Sequence, residues 1–102
     1  MMYWGRSGPF PIRIDKAAAK RGAKIFEANC QICHGKDGEG DGPLAKDLNY
    51  RPANLKLLSK RFPNHHFFIQ VAKGKGNMPS WEDALTNKDL WDLTHFIQSL
   101  GE

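Results

Sequence analysis

Cysteine is scarce in this chain: 2 in 102 residues, Cys30 and Cys33, only three positions apart. That scarcity excludes a disulfide framework, and the closeness of the pair means that both engage one small object. No run approaches the roughly 18 apolar residues of a membrane span. The opening Met1-Met2-Tyr3-Trp4-Gly5-Arg6 lacks the basic-then-apolar layout of a secretory signal. Internal repeats, low-complexity linkers and alternating strand patterns are also missing. Excess charge is small: 15 Lys and Arg against 11 Asp and Glu give +4, scattered rather than gathered in a tract. That argues against nucleic acid and for a surface that docks acidic partners. Hydrophobic residues make up 40% of the chain, enough for a core and too many for disorder throughout.

The length argues for one domain. A chain of this size buries only about 60–70% of its unfolded surface, so a bulky cofactor in the core would add much to its stability. Residues 1–14 read as an irregular arm, with Gly5, Gly8, Pro9 and Pro11 and the aromatics Tyr3, Trp4 and Phe10; residues 15–102 read as the domain. Asp15 is an N-cap for a helix reaching about Asn29, with Ala18, Gly22, Ile25 and Phe26 on one face. Gly22 is costly there, by about 1 kcal/mol relative to alanine, and predicts another element crossing close to its backbone. Gly35 to Pro52 reads as loop. A second helix fits Asn64–Lys73, capped by Asn64 and stopped at Gly74. Thr86-Asn87-Lys88-Asp89 resembles a capping box that opens a last helix to Leu100, with Leu90, Leu93, Ile97 and Leu100 inward and Phe96 alongside. The fold class is all-α, three to four short helices and much loop.

Cys30-Gln31-Ile32-Cys33-His34 is a C-x-x-C-H sequence, the attachment signature of c-type haem. Two thiols at i and i+3 point the same way and can add to the two vinyl groups of one porphyrin. The adjacent imidazole is then delivered to the iron as proximal ligand. Three rivals exist: a thioredoxin-like dithiol, which needs a βαβ setting; a zinc site, for which His65, His66 and His95 supply no compact pair; and plain structural cysteines. Met78 is the one methionine away from the N-terminus, in the glycine-rich stretch Gly74-Lys75-Gly76-Asn77-Met78-Pro79. A loop is a poor place for a core-filling methionine, whereas a thioether suits a soft iron site. Met78 is therefore the expected second axial ligand, opposite His34, a pairing that raises the reduction potential relative to two histidines.

On these motifs the chain resembles a class I c-type cytochrome of the short bacterial kind, over residues from about 16 to 100. The resemblance implies the cytochrome c fold, several short helices and loops around one covalent haem c. Gly22 and Phe26 match the family's first-helix glycine and aromatic, and Leu93 and Phe96 the last-helix residues they meet. Gly40-Asp41-Gly42-Pro43 matches the loop whose proline carbonyl accepts a hydrogen bond from the proximal histidine. Pro52-Ala53-Asn54-Leu55 resembles the segment that lines the haem, and Met78-Pro79-Ser80-Trp81 the methionine loop. Trp81 is either a neighbour of a haem propionate or plain packing. Ile25, Phe26, Leu55, Phe67, Phe68, Val71 and Phe96 are the expected apolar walls.

The implied function is that of a one-electron carrier, iron cycling between Fe(II) and Fe(III) with both axial positions filled, and not an enzyme. A gas-binding sensor, a haem peroxidase and the electron-input domain of a larger oxidoreductase are the alternatives. His65 and His66 read as a solvated pair, with a substitute for Met78 as the functional option, and His95 as facing water. Lys73 and Lys75 are the expected docking rim for acidic redox partners, among the scattered Lys36, Lys46, Lys56 and Lys60. The resemblance also implies a monomer and a periplasmic site, with any export signal removed.

Overall fold

The computed structural model describes residues 14–48, 52–74 and 78–102. The expected arm, with Tyr3, Trp4 and Phe10, lies outside the described residues, as do Lys75, Gly76 and Asn77. Among the described residues five α-helices follow in order: α1 Lys16–Asn29, α2 Gln31–His34, α3 Leu55–Leu58, α4 Asn64–Lys73 and α5 Asn87–Ser99, with a 3-10 turn at Ala45–Asp47. The described residues contain no extended sheet.

The two long helices begin where their side chains satisfy orphan amides. Asp15 accepts from the Ala18 amide at 3.1 Å and starts α1. Thr86 and Asp89 exchange both bonds of a capping box and start α5. For α4 the expected cap shifts by one: Pro63 is the N-cap, and Asn64 already stands inside the helix with its Oδ1 buried and without a hydrogen bond. Proline's fixed φ suits the entry to a helix, and its missing amide costs nothing there. Gly74, at φ 74°, ends α4 as expected.

Helices α1 and α5 cross face to face. A Cβ on Gly22 would collide with the Asp92 carbonyl and stand 2.9 Å from Leu93 Cα, so the glycine is the contact point itself. Beside it Phe26 and Leu93 are fully buried, and Phe96 tilts against Phe26 with centroids 4.9 Å apart. Phe67, Val71 and Ala72 of α4 join Leu90 and Ile97 of α5 to complete the core. At the far end of α5, Gln98 donates to the carbonyls of Ser59 and Phe62 at 3.2 and 3.0 Å. That fastens the α3–α4 connection to the α1–α5 pair.

Candidate functional site

Cys30 begins the turn that leads from α1 into α2. Its amide bonds the Phe26 carbonyl at 2.8 Å, and the His34 amide bonds the Cys30 carbonyl at 3.0 Å, which sets Cys30, Cys33 and His34 on one turn. A four-residue helix cannot hold itself, so the following loop holds it. Gly40, Gly42 and Leu44 donate their amides to the carbonyls of His34, Cys33 and Ile32 at 2.8, 3.0 and 2.9 Å. A Cβ on Gly42 would run into the Ile32 and Gln31 carbonyls, so the loop can close only over glycine.

The imidazole of His34 is oriented by a backbone carbonyl. Its Nδ1 lies 3.1 Å from the oxygen of Ala53, not of Pro43, whose side of the loop is exposed. The acceptor thus comes from the second loop strand, Pro52-Ala53-Asn54, which is tied back by a 2.6 Å bond from the Leu55 amide to the Gly38 carbonyl. With the proton assigned to Nδ1, Nε2 keeps its lone pair for a metal. Burial lowers the His34 pKa, partly offset by the Ala53 bond, and so favours the neutral, ligating form.

Met78 is mounted on the end of α4. The Trp81 and Glu82 amides donate to the Val71 and Ala72 carbonyls at 3.2 and 3.1 Å, and Ser80 Oγ to Ala72 at 2.6 Å. Lys73 and Glu82 close the loop at 3.0 Å. Lys73, of the expected docking rim, is exposed and pairs there with Glu82.

Between these two mounts lies an apolar cavity of about 350 Å³, lined by Phe26, Cys30, His34, Ala53, Leu55, Leu58, Phe62, His66, Phe67, Gln70, Val71, Met78 and Ile97. A second hollow of about 130 Å³ is bounded by Asn29, Cys30, Cys33, His34, Pro52, Met78, Pro79 and Trp81. Both hollows share Cys30, His34 and Met78. The donor set fits a c-type haem: two thiols on one turn, a neutral imidazole with its far nitrogen engaged, and a thioether reaching the same apolar space.

The rivals fit less well. Burial, reinforced by the neighbouring Cys33, pushes the Cys30 thiol up to about 11, opposite to the depressed thiol of a redox dithiol. Among the described residues no three His, Cys, Asp or Glu side chains gather as a metal site would require.

Of the expected pocket residues, Phe26, Leu55, Phe67 and Val71 line the larger cavity and Pro79 and Trp81 the smaller. Five others line neither hollow. Asn54 caps α3 by accepting from the Leu57 amide, Pro43 is exposed, and Phe96 stands behind Phe26. Phe68 follows Phe67 by about 100° around α4 and meets Trp91 instead, at 4.4 Å. Ile25 packs against the core. Leu58, Phe62, Gln70 and Ile97 also line the larger cavity with no motif to mark them, and so does His66, the candidate substitute for Met78. His66 and Gln70, four apart on α4, form a row one position before the row of Phe67 and Val71. His65 is exposed, as expected, whereas His95 accepts the Asp15 amide at 3.2 Å.

Residues 17–97 match the family model described as cytochrome c oxidase, cbb3-type, subunit III. The chain is 32% identical over 94 residues to the cbb3-type cytochrome c oxidase subunit FixP of Azorhizobium caulinodans, covering 85% of this chain and 29% of that subunit. It is 35% identical over 76 residues to cytochrome c6 of Bryopsis maxima, covering 74% of this chain and 84% of that protein. Among solved structures, a chain of the Kuenenia stuttgartiensis reducing HAO-like protein complex Kustc0457/Kustc0458 superposes with a TM-score of 0.77 at 26% identity. That match covers 92% of this chain and 48% of the other. The chain thus spans less than a third of the oxidase subunit and most of the cytochrome c6.

Proposed function

Because the chain belongs to the class I c-type cytochromes, with their fold and covalent haem c, we propose that it is a one-electron carrier with His34 and Met78 as axial ligands. Cys30 and Cys33 are the attachment points. The observation that carries this reading is that Met78, remote in sequence from Cys30 and His34, borders the same two hollows as they do. The bound group supplies a metal that changes oxidation state by one electron.

The protein's own residues do the rest. The Ala53 carbonyl holds the His34 ring in one tautomer and raises its basicity as a ligand. The ties of Ser80, Trp81 and Glu82 to α4 hold Met78 in place in either oxidation state, so little rearranges on electron transfer. Phe26, Leu55, Leu58, Phe67, Val71 and Ile97 exclude water and favour the less charged state, which raises the potential. With both axial positions filled, substrate turnover at the iron is disfavoured, so the reading is carrier and not enzyme. Its redox partners present acidic patches to a chain of net charge +4. The site of action is the periplasm, and the working unit a monomer.

The test is a redox titration followed by visible spectra. The ferric protein is expected to show the weak far-red band of thioether–iron ligation, and Met78→Ala to lose it and to lower the potential. An unchanged Met78→Ala spectrum sinks the assignment. One second reading has an observation behind it: the chain matches only 29% of FixP and 48% of the Kuenenia chain. An electron-input domain of a larger oxidoreductase would have the same site, and co-purification with a catalytic subunit from the native source would favour it.

A further inference from the structure

The larger cavity contains a second imidazole. His66, in the first turn of α4, is half-buried and lines the same space as His34 and Met78. Its ring stacks on Phe62, with centroids 4.2 Å apart and planes 16° apart, and stands edge-on to Phe67 at 5.2 Å. Phe62 and Phe67 are themselves cavity walls, so the ring is held among them rather than in open solvent.

The histidines outside the haem motif other than His66, and Lys73 beside the methionine segment, are placed elsewhere. His65 is exposed, His95 accepts the Asp15 amide, and Lys73 pairs with Glu82. The mounting of Met78 adds a second observation. Among the described residues, the ties from its segment to α4 run to the C-terminal end of that helix, to Val71, Ala72 and Lys73. His66 sits at the opposite end of that helix, and Gln98 fixes the preceding Phe62 carbonyl. The methionine segment can therefore open locally, at less cost than global unfolding, with the His66 end still seated.

We propose that His66 is a reserve sixth ligand, which takes the iron position when Met78 leaves it. This rests on the reading of Met78 as the resident ligand. The exchange is a ligand substitution: the thioether sulfur departs, a neutral imidazole nitrogen enters, and no electron is transferred. An imidazole suits ferric iron, and two histidines give a lower potential than histidine with methionine. The centre would then have a high-potential and a low-potential form built from the same chain, neither with an open iron.

The experiment compares haem-loaded wild type, Met78→Ala, Met78→Ala/His66→Phe and Met78→Ala/His65→Phe by electron paramagnetic resonance of the ferric state. Met78→Ala is expected to be low-spin without the far-red band, the His66→Phe double variant high-spin, and the His65→Phe double variant still low-spin. A high-spin Met78→Ala, or a low-spin His66→Phe double variant, overturns the proposal while leaving Met78 as the resident ligand. A wild-type protein without the far-red band removes the reading of Met78 and this inference with it. Should Met78→Ala not accumulate with haem, urea below the unfolding midpoint serves instead. The wild type is then expected to lose the far-red band and stay low-spin, and His66→Phe to become high-spin; identical behaviour of the two overturns the proposal.

Discussion

Gly42 stands where two backbone segments touch: any Cβ there meets the carbonyls of Gln31 and Ile32, while its amide holds the Cys33 carbonyl at 3.0 Å. Neither contact is with a flexible side chain, so a larger residue must push the loop away from α2. Gly42→Ala is expected to cost about 1–3 kcal/mol, the usual range for forcing extra atoms into a packed site. It should also loosen the His34 turn, seen as a lower urea midpoint and a broadened haem spectrum. An unchanged midpoint would show that the loop does not clamp α2. At this scale the sequence was informative about side chains and less so about backbone. The thiols, the imidazole and the thioether announce themselves by type and spacing. The acceptor for His34 Nδ1 does not, because every residue carries a carbonyl: Pro43 and Ala53 both lie in proline-bearing loops, and only the fold brings Ala53 within 3.1 Å.

Among elements, the α1–α5 crossing was the most legible part. Gly22 breaks the helix-propensity rule, and the violation pointed to the close approach that the Asp92 carbonyl supplies. The same crossing holds a charge that patterning alone did not reveal. Asp92 is buried, pairs with Arg21 through two bonds of 2.9 and 3.0 Å, and accepts from Lys88 at 3.1 Å. The Arg21 bond, and after desolvation is set against it the Lys88 bond, hold the Asp92 pKa below the ordinary carboxylate value. The sign follows: the unfolded chain binds the proton more readily, so the pair's contribution is complete above the unfolded pKa of about 3.9 and fades as pH falls below it. Asp92→Asn should therefore be less stable than wild type at pH 7 and lose less between pH 5 and pH 3, read from urea midpoints. Parallel acid profiles would remove Asp92 from the acid response. Short α3 went unpredicted for a different reason. A single turn has too few positions to display a period, and it is held by Asn54, the Gly38 carbonyl and Gln98 rather than by propensity.

For the whole molecule, the question is what fills the middle. The walls around the larger cavity come from all five of the described helices and the loops at Ala53, Phe62 and Met78, so no helix pair alone completes the core. The lining of that space is almost wholly apolar, and without a group to cover it this surface would face water, an unfavourable exposure. The haem is thus as much a part of the core as Phe26 or Leu93, and covalent attachment prevents its loss with each local opening. Cys30→Ala/Cys33→Ala, which removes both attachment points, is expected to yield a chain with markedly reduced helical circular dichroism and a broad, weakly cooperative thermal transition. The α1–α5 pair, which meets through Gly22, Phe26 and Leu93, is expected to account for most of the residual helix, since that contact needs no cofactor. Amide hydrogen exchange decides the point: protection surviving in α1 and α5 but lost in α4 places the cofactor's contribution at the cavity. Equal protection in α1, α4 and α5 would mean that the polypeptide folds around this space unaided.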